Sequence, residues 1–395
     1  MAGSSYGLRV IEQLLREWPP GYGGVERVAH ELACVWAGKV YSLDAQRRCR
    51  VESDALPAPY PRSPLPCTPA LGRLVLPLPS RALWQMLVSK SPLHGHLPSP
   101  GVLLLLLLAR IGRPGRSVTV HWHCFLEPGT GLNAVLFGCY QWLALRLLPL
   151  FSGVVTTSPV LQAELVRSGC RPQRVSMLPC CLSAQQETAA LALPRMFERC
   201  SSQRLFQVVF IGRLDSYKRL DWLLSALAGL ALPWRLVVVG DGPRRQAFED
   251  LSEQLFADSC RDRVCFRGRL DETSKLHVLA SSDLLVLPSD RCNEGFGIVQ
   301  LEAMAAGIPA LAFDLPRSGM GWVGQLPSLH WPQTPEALPA VLQQLASDPS
   351  LCAQLGREAR ERYLKLFSRA VWFQRLQALD HDGRSERCGG NLAWL

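Results

Sequence analysis

The chain has 395 residues, 48% of them hydrophobic and 19% charged, which suits two globular α/β domains of roughly 100–200 residues each and excludes a disordered or fibrous chain. The net charge is +9, and the whole excess lies in residues 1–200, where 20 Lys or Arg stand against 11 Asp or Glu; residues 201–395 balance at 22 against 22. A one-sided basic half suggests an anionic partner, either a membrane surface or a charged acceptor, or else a merely solvated basic face; dispersed arginines without a recognised binding module argue against nucleic acid.

Along the first half, apolar runs alternate with helix-like stretches. Leu8–Leu14 is the first apolar run. The glycine turn Gly21–Gly24 follows, and then Val25, Val28, Ala29, Leu32 and Ala33 recur on one helix face. Lys39–Leu43 reads as a strand. The proline-rich stretch Ala55–Pro79 reads as an irregular connection. Val102–Ala109, with six leucines, is about half the ~20 residues of a membrane span and reads as a buried helix packed on a sheet. Ser117–His123 and Gly153–Thr157 read as strands, with Ser158 capping the helix Val160–Ser168. Tyr140–Phe151, apolar with Trp142 and Arg146, reads either as a core helix or as a segment at a membrane interface.

The second half is clearer. Phe206–Ile211 is predicted as a strand, Asp221–Leu230 as a helix and Arg235–Val239 as a strand. Gly240–Pro243 turns the chain into the helix Arg244–Phe256. Val264–Arg267, Leu284–Leu287 and Pro309–Phe313 read as further strands. Alternation of this kind predicts α/β units with parallel sheets covered on both faces. The expected organisation is an N-terminal domain over 1–182, a linker over 183–203, a C-terminal domain over 204–370, and a helix and tail over 371–395 that return to the first domain.

The 14 cysteines include no Cys-x-x-Cys pair and no Cys/His metal spacing. With no signal peptide at the start, they read as reduced thiols of a cytoplasmic protein, either free or peripheral on the inner face of a membrane. No Gly-x-Gly-x-x-Gly follows a strand, which argues against a dinucleotide oxidoreductase.

The segment richest in chemistry is Pro288–Pro309. A strand ends at Pro288, Gly295 and Gly297 open a loop, and a helix is predicted from Ile298 to Ala306, stopped by Gly307 and Pro309. Free N–H groups at Gly297, Ile298 and Val299 make a phosphate seat. Glu294 precedes the helix and Glu302 lies just over one turn inside it, so the two carboxylates reach different parts of one extended ligand.

This segment resembles the Glu-x7-Glu signature of the retaining family 4 glycosyltransferases of the GT-B fold, which include builders of bacterial cell-surface polysaccharides. Gly212-Arg213-Leu214-Asp215-Ser216-Tyr217-Lys218-Arg219 resembles the family's phosphate-binding turn. Val239-Gly240-Asp241-Gly242-Pro243, Phe266-Arg267-Gly268 and Ser282–Ser289 also fit. Pro20–Glu26 resembles its amino-terminal glycine loop. The resemblance implies two facing Rossmann-like domains with a cleft between them and a nucleotide diphosphate-sugar donor. It implies that Glu294 holds the transferred sugar, Glu302 the ribose, and Arg213 and Lys218 the diphosphate. Gly23 and Gly24 would let the backbone approach the donor, and His123, sharing a strand face with His121, would lie near the donor sugar or serve only as a hydrogen-bonded wall. The acceptor would be a saccharide or a lipid-linked saccharide. No metal cofactor is expected, since the family is metal-independent and no Asp-x-Asp pair is placed for one. Cys124 and Phe125 stand where small polar residues are usual, and Cys180-Cys181 replaces a usual glycine. Two other readings are an epimerase or soluble sugar-phosphate glycosyltransferase of the same fold, and a non-catalytic nucleotide-sugar-binding subunit.

Overall fold

The computed structural model describes residues 10–17, 23–43, 58–69, 75–127, 132–193, 205–256 and 263–385, without the side chains of 132, 133 and 380–385. Gly21 and Tyr22 of the glycine turn therefore lie outside the described residues. The chain divides into two compact units, Met1–Pro179 and Cys180–Leu395.

The first unit is a parallel sheet of seven strands: β1 (Glu12–Leu15), β2 (Val40–Ser42), β3 (Arg62–Pro64), β4 (Leu93–Leu97), β5 (Val118–Trp122), β6 (Gly153–Thr156) and β7 (Val175–Met177), in the order β3-β2-β1-β4-β5-β6-β7. Its helices are α1 (Gly24–Val35), α2 (Arg81–Val88), α3 (Pro100–Gly112), α4 (Leu132–Leu147) and α5 (Pro159–Arg167). Ser158 caps α5 through its hydroxyl, which accepts from Leu161 N at 3.2 Å. The proline-rich stretch is not wholly irregular, because Arg62–Pro64 pairs with β2 as the edge strand. An edge is where a sheet tolerates proline, whose missing N–H then breaks no ladder bond.

The second unit opens with α6 (Ala184–Ala192), inside the stretch read as linker. Ser183 and Gln186 close a reciprocal capping box on it. Glu187 accepts from Tyr363 Oη and from Arg369 N, each at 2.9 Å, so this helix is fastened to the second unit. Then come β8 (Phe206–Ile211), α7 (Leu220–Ala228), β9 (Trp234–Val239), α8 (Arg245–Phe256), β10 (Val264–Gly268), α9 (Glu272–Ala280), β11 (Leu284–Leu287), α10 (Val299–Ala305) and β12 (Ala310–Ala312). After these follow α11 (Met320–Gly324), α12 (Leu338–Ser347), α13 (Pro349–Leu366) and α14 (Arg369–Ser385). The five strands are parallel, in the order β10-β9-β8-β11-β12.

The strands are apolar on both faces because helices cover both. Val209, Val237 and Leu285 pack with Ala303, Ala306 and Ile308 of the α10 region. Each large aliphatic side chain buried this way contributes about 1.5–3 kcal/mol, and the alanines let α10 lie close to the sheet. The helix ends where Ile308 N bonds to Ala303 O and Gly307 N to Met304 O, with Gly307 at φ 79°. That left-handed turn is the reason for a glycine there. Strand order reverses between β8 and β11, and ligands of such sheets bind at the carboxyl ends of the strands beside that reversal.

Candidate active site

Two turns meet at the carboxyl edge of the second sheet. Gly212 N bonds to Val239 O at 3.0 Å, Leu214 N to Asp241 O at 3.1 Å, and Arg244 N to Leu214 O at 3.0 Å. Gly240 sits at φ 132°, and a Cβ on it would come within 1.9 Å of Gly212 O. A Cβ on Gly242 would come within 2.4 Å of Leu214 O. The glycines of the second turn are thus required for the first turn to pack against it.

Lys218, held in a short 3-10 turn after β8, reaches the loop after β11. Asp290 N bonds to Tyr217 O at 3.0 Å, which joins the two segments. There the ammonium of Lys218 donates to Glu294 Oε2 in a close ion pair. Burial presses the Lys218 pKa down, but Glu294, Tyr217 and Asp215 together outweigh it and the net shift is upward, so the ammonium stays charged. The backbone of Glu294 is pinned in turn, because Ser318 Oγ donates to its carbonyl at 2.6 Å. Gly297, at φ 72°, precedes α10. Ile298 is the residue before the helix and Val299 its first. The first N–H committed to the helix is that of Gln300, which bonds to Gly297 O at 2.9 Å. The N–H groups of Gly297, Ile298 and Val299 precede it, as an anion seat requires.

Glu302 is held by a different lysine. Lys275, from α9, places Nζ 2.8 Å from Glu302 Oε2 and 2.8 Å from Glu272 Oε2. The two signature carboxylates are therefore positioned independently. Arg213 is mostly exposed, with Nε 3.7 Å from Asp215 Oδ2. It shares the turn of Lys218 but makes no contact with the ion pair. Arg219 lies 3.0 Å from Asp290 and 2.7 Å from Asp221, with its guanidinium over Trp222. Burial raises the pKa of the Cys180 thiol, and the Glu294 charge adds to this, so Cys180 remains a neutral thiol.

In the first unit, Gly23 precedes α1 and Gly24 opens it. A Cβ at Gly23 would meet Glu26 Oε2 at 2.0 Å, since the Glu26 carboxylate folds over the helix start. β5 ends at Trp122, so His123 stands just beyond the strand. The His121 and His123 rings stack, with centroids 4.2 Å apart. His123 Nε2 lies 2.9 Å from His96 Nδ1, and His96 Nε2 lies 2.9 Å from Gln13 Oε1. Gln13 Nε2 donates to Ala29 O at 3.2 Å, which fixes the amide orientation. The protons follow in series. His96 donates from Nε2 to Gln13, so its Nδ1 accepts from His123 Nε2–H, and His123 keeps its lone pair on Nδ1. Burial lowers the pKa of His94 and of His123 to about 3 each, and those of His96 and His121 well below the usual value, so all four rings are neutral. His94, His96 and His121 bring one ring nitrogen each within 4.8 Å of one another, close enough to hold a metal ion. Thr119, Gln13 and His123 already engage the nitrogens of His94 and His96.

Sequence reasoning missed Lys275, Gln13, His94 and His96. Lys275 follows Glu272 at the spacing of an ordinary exposed helix pair, and only the fold turns it toward Glu302. His94 and His96 lie in Leu93–Leu97, whose alternating histidines and glycine gave no apolar strand signal.

Comparison with known proteins agrees with this fold. Residues 23–181 match the glycosyl transferase 4-like domain model and residues 198–362 the glycosyl transferases group 1 model. The fold is that of the GT-B glycosyltransferases, and the chain is a transferase. It is 28% identical to the D-rhamnosyltransferase WbpZ of Pseudomonas aeruginosa over 278 residues, 69% of this chain and 68% of that one. It is 29% identical to the putative glycosyltransferase EpsD of Bacillus subtilis over 291 residues, 70% and 72% of the two chains. Among solved structures it resembles Anabaena HepE in complex with UDP, with a TM-score of 0.71 and 18% identity, covering 94% of this chain and 100% of that one.

Proposed function

We propose that the protein is a retaining glycosyltransferase that moves a sugar from a nucleotide diphosphate-sugar to a saccharide or lipid-linked saccharide, in the assembly of a polysaccharide or glycolipid. The observation that carries this reading is the ion pair of Lys218 with Glu294 beside the strand-order reversal. In this reading the carboxylate meets the transferred sugar and its ammonium partner meets the phosphate. The likeness to an enzyme crystallised with UDP and to a rhamnosyltransferase supports the choice of donor and reaction.

In the proposed reaction, the bond from the anomeric carbon to the diphosphate oxygen breaks and its electron pair leaves with the diphosphate. Lys218 and Arg213 stabilise that growing charge more than they stabilise the ground state. The acceptor hydroxyl attacks the same face of the sugar and passes its proton to a donor phosphate oxygen. Glu294 orients sugar hydroxyls, Glu302 binds the ribose, and the N–H groups of Gly297, Ile298 and Val299 hold phosphate. His123 offers Nδ1 as an acceptor to a donor-sugar hydroxyl. The reaction as proposed uses no metal, so treatment with a chelator should leave turnover unchanged.

The test is a thermal-shift screen of nucleoside diphosphates and their sugars, followed by NMR of the product with the donor that binds. Retention of the donor's anomeric configuration is expected. Inversion, or modification of the donor without any acceptor, contradicts the reading.

A further inference from the structure

Part of one face of the first unit, the helices α2, α3 and α4, carries far more exposed apolar surface than a water-facing helix layer normally has. In a parallel sheet with right-handed crossovers, the links β3 to β4, β4 to β5 and β5 to β6 all run in one direction across the strand order, so α2, α3 and α4 lie side by side on one face. α2 packs on α3, and Arg110 at the end of α3 donates to Leu150 O just after α4, at 3.1 Å. Of the fifteen exposed large apolar side chains among the described residues, nine lie on this layer and the turn after it. On α3, Leu104, Leu108 and Ile111 form one outward stripe at i, i+4 and i+7, with Ile111 72% exposed. On α4, Leu136 and Leu143 share an outward stripe with Trp142, 62% exposed, and Arg146 stands over the Trp142 ring.

Helices that meet water normally carry charges on that side, as α13 does with exposed Arg357, Glu361 and Lys365. α2, α3 and α4 contain no Asp or Glu at all. From residue 55 to residue 163 the chain has eight Lys or Arg and the single acidic residue Glu127. Lys90, Arg113 and Arg146 fall at or just past the carboxyl ends of the three helices, which run in the same direction, so the apolar layer has one basic rim.

We propose that this α2–α3–α4 face docks on an anionic lipid bilayer, with Leu104, Leu108, Ile111 and Trp142 entering the head-group boundary and Lys90, Arg113 and Arg146 meeting lipid phosphates. The charge selects this occupant over a second copy of the chain, whose matching face would oppose like charges. The face lies on the surface rather than spanning, because no helix among the described residues is long and apolar enough to cross a membrane.

The test is flotation of the purified full chain with phosphatidylcholine vesicles, with and without phosphatidylglycerol, at low and high salt, which needs no donor or acceptor and so does not depend on the transfer reaction. The wild-type chain should float with anionic vesicles about tenfold or more above neutral ones, and salt should weaken the binding. Leu108→Glu with Trp142→Glu should abolish flotation while leaving thermal unfolding unchanged, and Arg113→Gln with Arg146→Gln should remove the preference for phosphatidylglycerol. Absence of wild-type flotation at low salt overturns the proposal, as does undiminished flotation of the Leu108/Trp142 variant. A wild-type dimer in light scattering that this variant converts to monomer overturns it in favour of self-association.

Discussion

Lys218 and Glu294 are 76 residues apart in sequence, and their side chains meet as an ion pair where the turn after β8 touches the loop after β11. Removing one member of a largely buried pair strands the other charge. Lys218→Ala is therefore expected to cut turnover by roughly 2–4 kcal/mol in barrier height and to lower the unfolding temperature. Adding Glu294→Gln to it should cost much less than Glu294→Gln costs alone, with a coupling of about 0.5–3 kcal/mol. Turnover and thermal unfolding of the two single variants and the double variant measure this, and strictly additive losses would mean that the pair does not act as a unit.

The stitching of the two turns makes a second prediction. Gly240→Ala forces a side chain into a left-handed conformation and against Gly212 O. It should destabilise the protein by about 2 kcal/mol or more and weaken nucleotide binding with it. Gly112→Ala, at the end of α3 with nothing within 4 Å, should be neutral or stabilising by up to about 1 kcal/mol. Equal unfolding temperatures for the two variants would contradict the close-approach argument.

The histidine cluster predicts acid sensitivity. Burial lowers the folded-state pKa values of His94, His96, His121 and His123, to about 3 for His94 and His123. The unfolded chain, with ordinary values near 6.5, binds more protons between those limits. The stability these rings contribute is therefore complete above about pH 6.5 and is lost as the pH falls from there toward 3, by up to ~1.4 kcal/mol per pH unit for each ring. Thermal unfolding followed from about pH 7.5 to 5.5, one unit either side of that ordinary value, should show a falling transition, and His121→Phe, which removes a ring nitrogen buried without a partner, should flatten the slope. A transition independent of pH in that window would show that the rings take up no protons on unfolding.

Much of this was legible in the sequence. In the second unit every strand run was visible, because strands covered on both faces are continuous apolar runs, and the glycines at 240, 297 and 307 marked turns that the backbone demands. The first unit was harder to read. β3 hides among prolines at a sheet edge, β4 is built from Leu93, His94, Gly95, His96 and Leu97, and α6 follows a capping box in a stretch of mixed polarity. Within the candidate site, Glu294, Glu302 and Lys218 could be named through the family resemblance of the segments that carry them. Their pairing could not, since Lys275 and Lys218 come from segments that only the sheet order brings together. Nor could the link from Gln13 through His96 to His123, which joins three segments of the first sheet and α1.

In the proposed reaction two carboxylates, each held by its own lysine, serve different parts of one donor. The test is calorimetric titration of the nucleoside diphosphate that binds in the thermal-shift screen into Glu294→Gln and Glu302→Gln, beside their transfer rates. Glu294→Gln should lose turnover while binding the bare nucleotide nearly as the wild type does. Glu302→Gln should bind it more weakly by roughly 1–3 kcal/mol, the worth of a charged hydrogen bond. Equal loss of nucleotide affinity in both variants, or unchanged binding and rate in both, would contradict the account.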